Sequence, residues 1–167
     1  MKTGRSEIAP TWASTRPSES LVLLARRVRR RLLRSPDRCT CIATIGSQEC
    51  TEFDLAGLCG LAAVLIADEL HDPTVVRLGM FVSAANALRE QHAWARVGIY
   101  VVDVTVRQFG EKWPAVMVAP WAAVCQHYRE SDRGKAAIRK IQRWEYEADG
   151  GAIERLLARG DNKTRTL

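Results

Sequence analysis

Apolar positions recur along the chain at two periods, and the changes of period mark its elements. Leu21, Leu24, Val28 and Leu32 fall three or four residues apart with arginines between them, which predicts an amphipathic helix. Ser18 and Ser20, after Pro17, supply capping oxygens, and Pro36 ends the helix. Residues 38–53, with Cys39, Cys41, Ile42 and Ile45 before Gly46, predict a short strand and then a loop. Asp54 is a candidate N-cap for a helix running to Leu70, whose body LCGLAAVLIADEL is apolar nearly all round and therefore central. Asp72 and Pro73 break it.

Period two follows. TVVRLGMFV predicts a strand over 74–82, and 83–91 a polar connection. HAWARV and IYVVDVTV, rich in β-branched and aromatic residues, meet at Gly98 and predict a hairpin. AVMVA, 115–119, is a further short strand closed by Pro120. Helices are expected near 121–129, over about 133–148 with Ala137, Ile141, Trp144 and Ala148 on one face, and over 151–159. The mixture of helices with hairpin-linked strands is α+β.

At 167 residues, 47% apolar and 26% charged, the chain has the size and composition of one globular domain rather than a disordered one. Residues 1–17 and 161–167 read as flexible tails around a single domain, 18–160. No apolar run is long enough to span a bilayer, and no charged-then-apolar leader stands at the start. Five cysteines, an odd number without framework spacing, do not describe a disulfide-stapled secreted module. The expectation is a cytoplasmic protein, or an effector delivered without a classical signal peptide.

Charge changes this picture in one place. The net charge is +6, yet residues 1–38 hold ten Lys/Arg against three acids, which leaves the remainder near neutral. Arg26, Arg27, Arg29, Arg30, Arg31 and Arg34 make helix 20–34 a candidate contact for an acidic partner, nucleic acid or a membrane surface. No aromatic residue is interleaved for stacking on bases, and an ordinary solvated helix face explains the same pattern.

One constellation carries chemistry: Cys59 at the start of the buried helix, His92, and Asp103 on the neighbouring strand. A thiol attacks as thiolate, which a helix N-terminus and a neighbouring imidazolium both favour. Gly57 and Gly60 leave room for a substrate carbonyl, and backbone N–H groups at a helix start can hold an oxyanion. A turn at Val97-Gly98 places His92 directly opposite Asp103 on one face, where a carboxylate fixes the imidazole tautomer. Val97 fits the positive φ of such a turn poorly, and a one-residue slip would put the two on opposite faces.

These residues resemble the transglutaminase-like branch of the papain-like cysteine enzymes, of bacterial type. The resemblance lies in the helix-borne Cys59, His92 with Trp94 in an H-x-W-like strand, Asp103 with Thr105 in a D-x-T-like strand, and the following Gln108 and Phe109. It covers about residues 54–119. It implies a papain-like α+β fold with the nucleophile helix packed on an antiparallel sheet, flanked by extra N- and C-terminal helices. Gly60 stands where relatives often carry an aromatic residue.

The resulting expectation is a cysteine-dependent amide hydrolase or acyltransferase (a protease, protein glutamine deamidase or transglutaminase) acting on a protein or peptide through a thioester. The alternative is a non-catalytic interaction module using the arginine helix. Gln48 is the upstream candidate for an oxyanion donor, and Trp94 either walls the cleft or fills the core. No cofactor is implied. Cys39, Cys41 and Cys50 with His71 or His127 make a poor zinc set, because C-x-C is an awkward start for tetrahedral ligation.

Overall fold

The computed structural model describes residues 16–34, 44–45, 48–49, 55, 57–83, 88–110 and 112–149. Helix α1 spans Glu19–Leu33, capped by the Ser18 side chain. Its buried stripe is Leu21, Ala25, Val28, Arg29 and Leu32, so the helical period holds with one arginine inside it. Two-residue strands β1 (Thr44–Ile45) and β2 (Gln48–Glu49) pair antiparallel.

Helix α2 covers Cys59–Leu70 and starts later than the sequence pattern suggests. Leu55 and Gly57 both have positive φ (55° and 76°), a conformation no right-handed helix includes. Asp54 lies outside the described residues, and the position before the helix is Leu58, without a side-chain cap bond. At the other end His71 takes a left-handed conformation and the Asp72 N–H reaches the Ala67 carbonyl at 3.0 Å.

Strands β3 (Val76–Ser83), β4 (Leu88–Val97), β5 (Tyr100–Asp103), β6 (Met117–Pro120) and β7 (Tyr128–Arg133) form one antiparallel sheet in the order β6-β5-β4-β3-β7. The fold is α+β. The polar stretch 83–91 is shorter than expected, because β3 extends to Ser83 and β4 begins at Leu88. Where a helix was expected over 121–129 stand a four-residue helix α3 (Trp121–Val124), a 3₁₀ turn and then β7. Helix α4, Gly134–Asp149, matches the expected one closely, whereas 151–159 lies outside the described residues.

The two faces of the sheet bury different cores. Val76, Leu78, Ala93, Ala95 and Val102 pack under Leu61, Leu65 and Ile66 of α2, Val28 and Leu32 of α1, and Ala137 and Ile141 of α4. The second face buries Phe81, Trp94, Val101, Met117 and Tyr128 beneath Val106, Phe109 and Val124, which come from the connections after β5 and β6. Each fully buried Val, Leu, Ile, Phe or Met side chain contributes about 1.5–3 kcal/mol.

Gly79 is fixed by close approach. The β3–β7 pairing shifts register between Leu78 and Gly79, and a Cβ on Gly79 would collide with the Arg129 carbonyl of β7. Gly79→Ala is therefore expected to destabilise the protein by about 1–3 kcal/mol, read as a lower urea midpoint. An unchanged midpoint would mean that β7 yields without cost.

Candidate active site

The site grows from the β4–β5 hairpin. Val97 pairs with Tyr100 and Ala95 with Val102, so the two-residue turn is Gly98-Ile99, one position later than the expected Val97-Gly98. Gly98 accepts a positive φ (57°) that β-branched Val97 would resist. This moves the register by two. His92 is not directly opposite Asp103 but lies diagonally from it, and because a shift of two preserves parity both side chains remain on one face.

His92 and Asp103 meet at 2.6 Å between Nε2 and Oδ2, both essentially excluded from solvent (0% and 2% exposed). The Asp103 carboxylate has three further donors. Its Oδ1 accepts from the Thr105 backbone N–H at 2.9 Å and the Thr105 hydroxyl at 3.0 Å. Its Oδ2 also accepts from the Tyr128 hydroxyl at 2.9 Å. Burial alone would raise the carboxyl's pKa, but the His92 charge and hydrogen bond, with those from Thr105 and Tyr128, hold it below the usual carboxylate range. Burial alone would likewise lower the imidazole's pKa. The Asp103 charge and hydrogen bond, followed by the Cys59 thiol beside it, push it up to about 10.

Aromatic rings enclose the imidazole. Phe109 stands edge-on at 4.8 Å between centroids and Phe81 at 5.9 Å, while Trp94 lies nearly parallel at 6.2 Å. Trp94, 1% exposed, belongs to the second core and lies against Tyr128 at 4.9 Å rather than on an open surface. With Nε2 committed to Asp103, Nδ1 is buried and makes no hydrogen bond of normal geometry.

Cys59 is the first residue of α2 and is half-buried. It approaches the imidazole because the chain ahead of α2 is tied to the turn that covers the second core. The Gly57 N–H donates to Oε1 of Gln108 at 3.4 Å, and Gln108 adjoins Phe109, whose ring meets His92. The α2 body packs on the first face, and its N-terminus is held at the boundary between the cores. The Leu58 N–H closes on the Leu55 carbonyl at 3.1 Å, so buried Leu55 and Leu58 fix the strained approach to the thiol.

Against family models, curated proteins and solved structures, the chain matches none.

The remaining expected residues are placed elsewhere or not described. Gln48 is a backbone member of β2, and its side chain lies outside the described residues, as do Cys39, Cys41 and Cys50. Among the described residues no group of three His, Cys, Asp or Glu side chains is arranged for a metal ion. No helix among them is long and apolar enough to cross a membrane. Of the α1 arginines, Arg29 is buried with its Nη1 donating to the Val104 carbonyl at 2.6 Å, and Arg27 and Arg31 approach Glu69 of α2 at 3.2 and 3.8 Å. Arg26, Arg30 and Arg34 are exposed. Tyr128 was missed by sequence reasoning, which assigned it to a helix.

The pair predicts the pH dependence of stability. The raised imidazole pKa contributes stability that is complete below about pH 6.5 and is lost as pH rises toward 10. The lowered carboxyl contributes above its ordinary 3.8 and is lost on acidification through its folded value. Between pH 6.5 and 10 the wild-type unfolding free energy should fall, relative to His92→Gln, by up to ~1.4 kcal/mol per pH unit. Parallel urea-midpoint profiles for the two proteins would refute the charged pair.

Proposed function

We propose that the chain is a cysteine-dependent amide hydrolase or acyltransferase of the papain-like, transglutaminase-like kind, with Cys59 as nucleophile. One observation carries the reading: a buried imidazole bonded through Nε2 to a fully satisfied carboxylate, with a half-buried thiol at a helix N-terminus beside it. A structural histidine–aspartate pair accounts for the salt bridge. It gives no reason for a cysteine at the first position of α2 beside the imidazole.

In this reading Cys59 attacks as thiolate beside the protonated His92, its Sγ adding to a carboxamide or peptide carbonyl carbon. The amide groups of α2 ahead of its first full helical bond (Ala62 N–H to Leu58 carbonyl, 2.9 Å) are the donors assigned to the oxyanion. As the carbon–nitrogen bond breaks, the imidazolium protonates the departing nitrogen and leaves a thioester. Water then adds to the thioester carbon, its proton passes through His92 to sulfur, and the carbon–sulfur bond breaks to release the acid. An amine in place of water gives transamidation. Hydrolysis is the preferred outcome, on a protein glutamine side chain or a peptide bond. Asp103 holds the imidazole oriented and charged without touching the substrate.

The test is the pH profile of iodoacetamide alkylation with site mapping. Near neutral pH Cys59 should react at least about ten times faster than the other cysteines, an advantage removed by His92→Gln. Once a substrate is found among glutamine-containing proteins, Asp103→Asn should lower kcat by about 10²–10⁴. Ammonia release, new peptide termini and amine incorporation distinguish the three outcomes. A Cys59 that reacts like an ordinary thiol in both proteins overturns the proposal.

A further inference from the structure

Oδ2 of Asp103 is shared. It accepts from His92 at 2.6 Å and from the Tyr128 hydroxyl at 2.9 Å, while Thr105 alone occupies Oδ1. Tyr128 comes from the far edge of the sheet, where Arg129, Glu130, Ser131 and Arg133 of the same strand are exposed and Tyr128 is 2% exposed. Its ring packs against Phe81 and Trp94 at 5.3 and 4.9 Å between centroids, a role phenylalanine would fill as well. The hydroxyl is therefore not required for packing. It reaches past the aromatic core to the one oxygen that holds the imidazole.

We infer that Tyr128 is a positioning residue for His92, setting through the shared Oδ2 oxygen how strongly Asp103 holds the imidazole proton. This rests on the reading of Cys59, His92 and Asp103 as an acyl-transfer site. A hydroxyl donating to Oδ2 draws electron density from that oxygen and weakens its pull on Nε2–H. It also restrains the carboxylate from the side opposite Thr105, so the imidazole cannot rotate with it. Burial, with the Asp103 charge and hydrogen bond, keeps the Tyr128 hydroxyl protonated and hence a donor.

The groups acting on this unit come from every element around it. Asp103 of β5 and Cys59 of α2 act on His92, while His92 of β4 and Tyr128 of β7 act on Asp103. Arg29 of α1 ends on the adjoining Val104 carbonyl, and His127, before β7, bonds the Val82 carbonyl through Nδ1 at 2.9 Å. Of these, only Tyr128 is a neutral donor on the oxygen that His92 uses.

The experiment reads the imidazole directly. In protein labelled with ¹⁵N-histidine, which has only three histidines, the proton on His92 Nε2 is followed at neutral pH in wild type, Tyr128→Phe and protein carrying 3-fluorotyrosine at position 128. Removing the donor should move that proton downfield and raise the upper limb of the Cys59 alkylation profile by about half to one pH unit. The fluorinated phenol, a stronger donor in the same shape, should move both the opposite way. A proton that stays put in both variants overturns the inference, even where Cys59 proves selectively reactive. A proton that moves in opposite directions while Cys59 is unreactive upholds the coupling, and the acyl-transfer reading falls alone.

Discussion

The carboxylate of Asp103 is the constraint around which the second face is organised. Taking an ionised carboxylate out of water costs several kcal/mol unless its lone pairs are filled by well-directed donors and its charge is matched. Asp103 meets that demand with four hydrogen bonds, from His92 of β4, Tyr128 of β7 and Thr105 of the connection after β5. Strands β5 and β7 are three strand spacings apart, about 14 Å in a flat sheet. A 2.9 Å bond between their side chains requires the sheet to curl around that face. The same curl encloses Phe81, Trp94 and Phe109 and removes the imidazole from water. Aromatic packing and the polar cluster depend on each other: the rings supply the low dielectric that strengthens the His92–Asp103 attraction, and the hydrogen bonds fix where the rings converge.

The elements most legible in the sequence are those whose burial repeats with a single period. Leu21, Val28 and Leu32 announced α1, Ala137 and Ile141 announced α4, and the β-branched and aromatic residues of HAWARV announced the second part of β4, whose first residues had read as a polar connection. Strand β7 was hidden because Tyr128 is its single buried residue, and the charged run after it shows no alternation. Its strand character comes from pairing with β3, a long-range contact that leaves no local mark. The start of α2 was misread for a related reason. Nothing in the residues before Cys59 signals that buried Leu55 adopts a left-handed conformation.

The candidate site was legible in its composition but not in its registry. The order of Cys59, His92 and Asp103 is plain in the chain, and parity kept His92 and Asp103 on one face despite a turn one residue later than expected. The third donor to the carboxylate was not legible, because tyrosine 25 residues downstream becomes a neighbour only through the curl. Helix α1 makes the opposite point. Six arginines suggested a contact surface, yet Arg29 binds the carbonyl next to Asp103 while Arg27 and Arg31 approach Glu69 of α2. Part of the basic character of this segment is spent inside the domain, where an arginine that reaches a buried carbonyl satisfies it with a charged donor.

The raised proton affinity of His92 also bears on the order of proton transfers in the proposed reaction. An imidazole pushed to about 10 is charged at neutral pH, so its resting role is that of an acid. In the proposed reaction that charge sits beside the attacking sulfur, and a neighbouring imidazolium is one of the few devices by which a protein favours thiolate. The difficulty then moves to the departure of nitrogen, where the imidazolium must release the proton that Asp103 helps it retain. A carboxylate left to His92 alone would hold that proton more tightly. Dividing Oδ2 between His92 and Tyr128 moderates the hold while keeping the carboxylate ionised and oriented. The buried hydroxyl thus reconciles two opposed requirements, a stable ion pair in the interior and a proton that can still leave it.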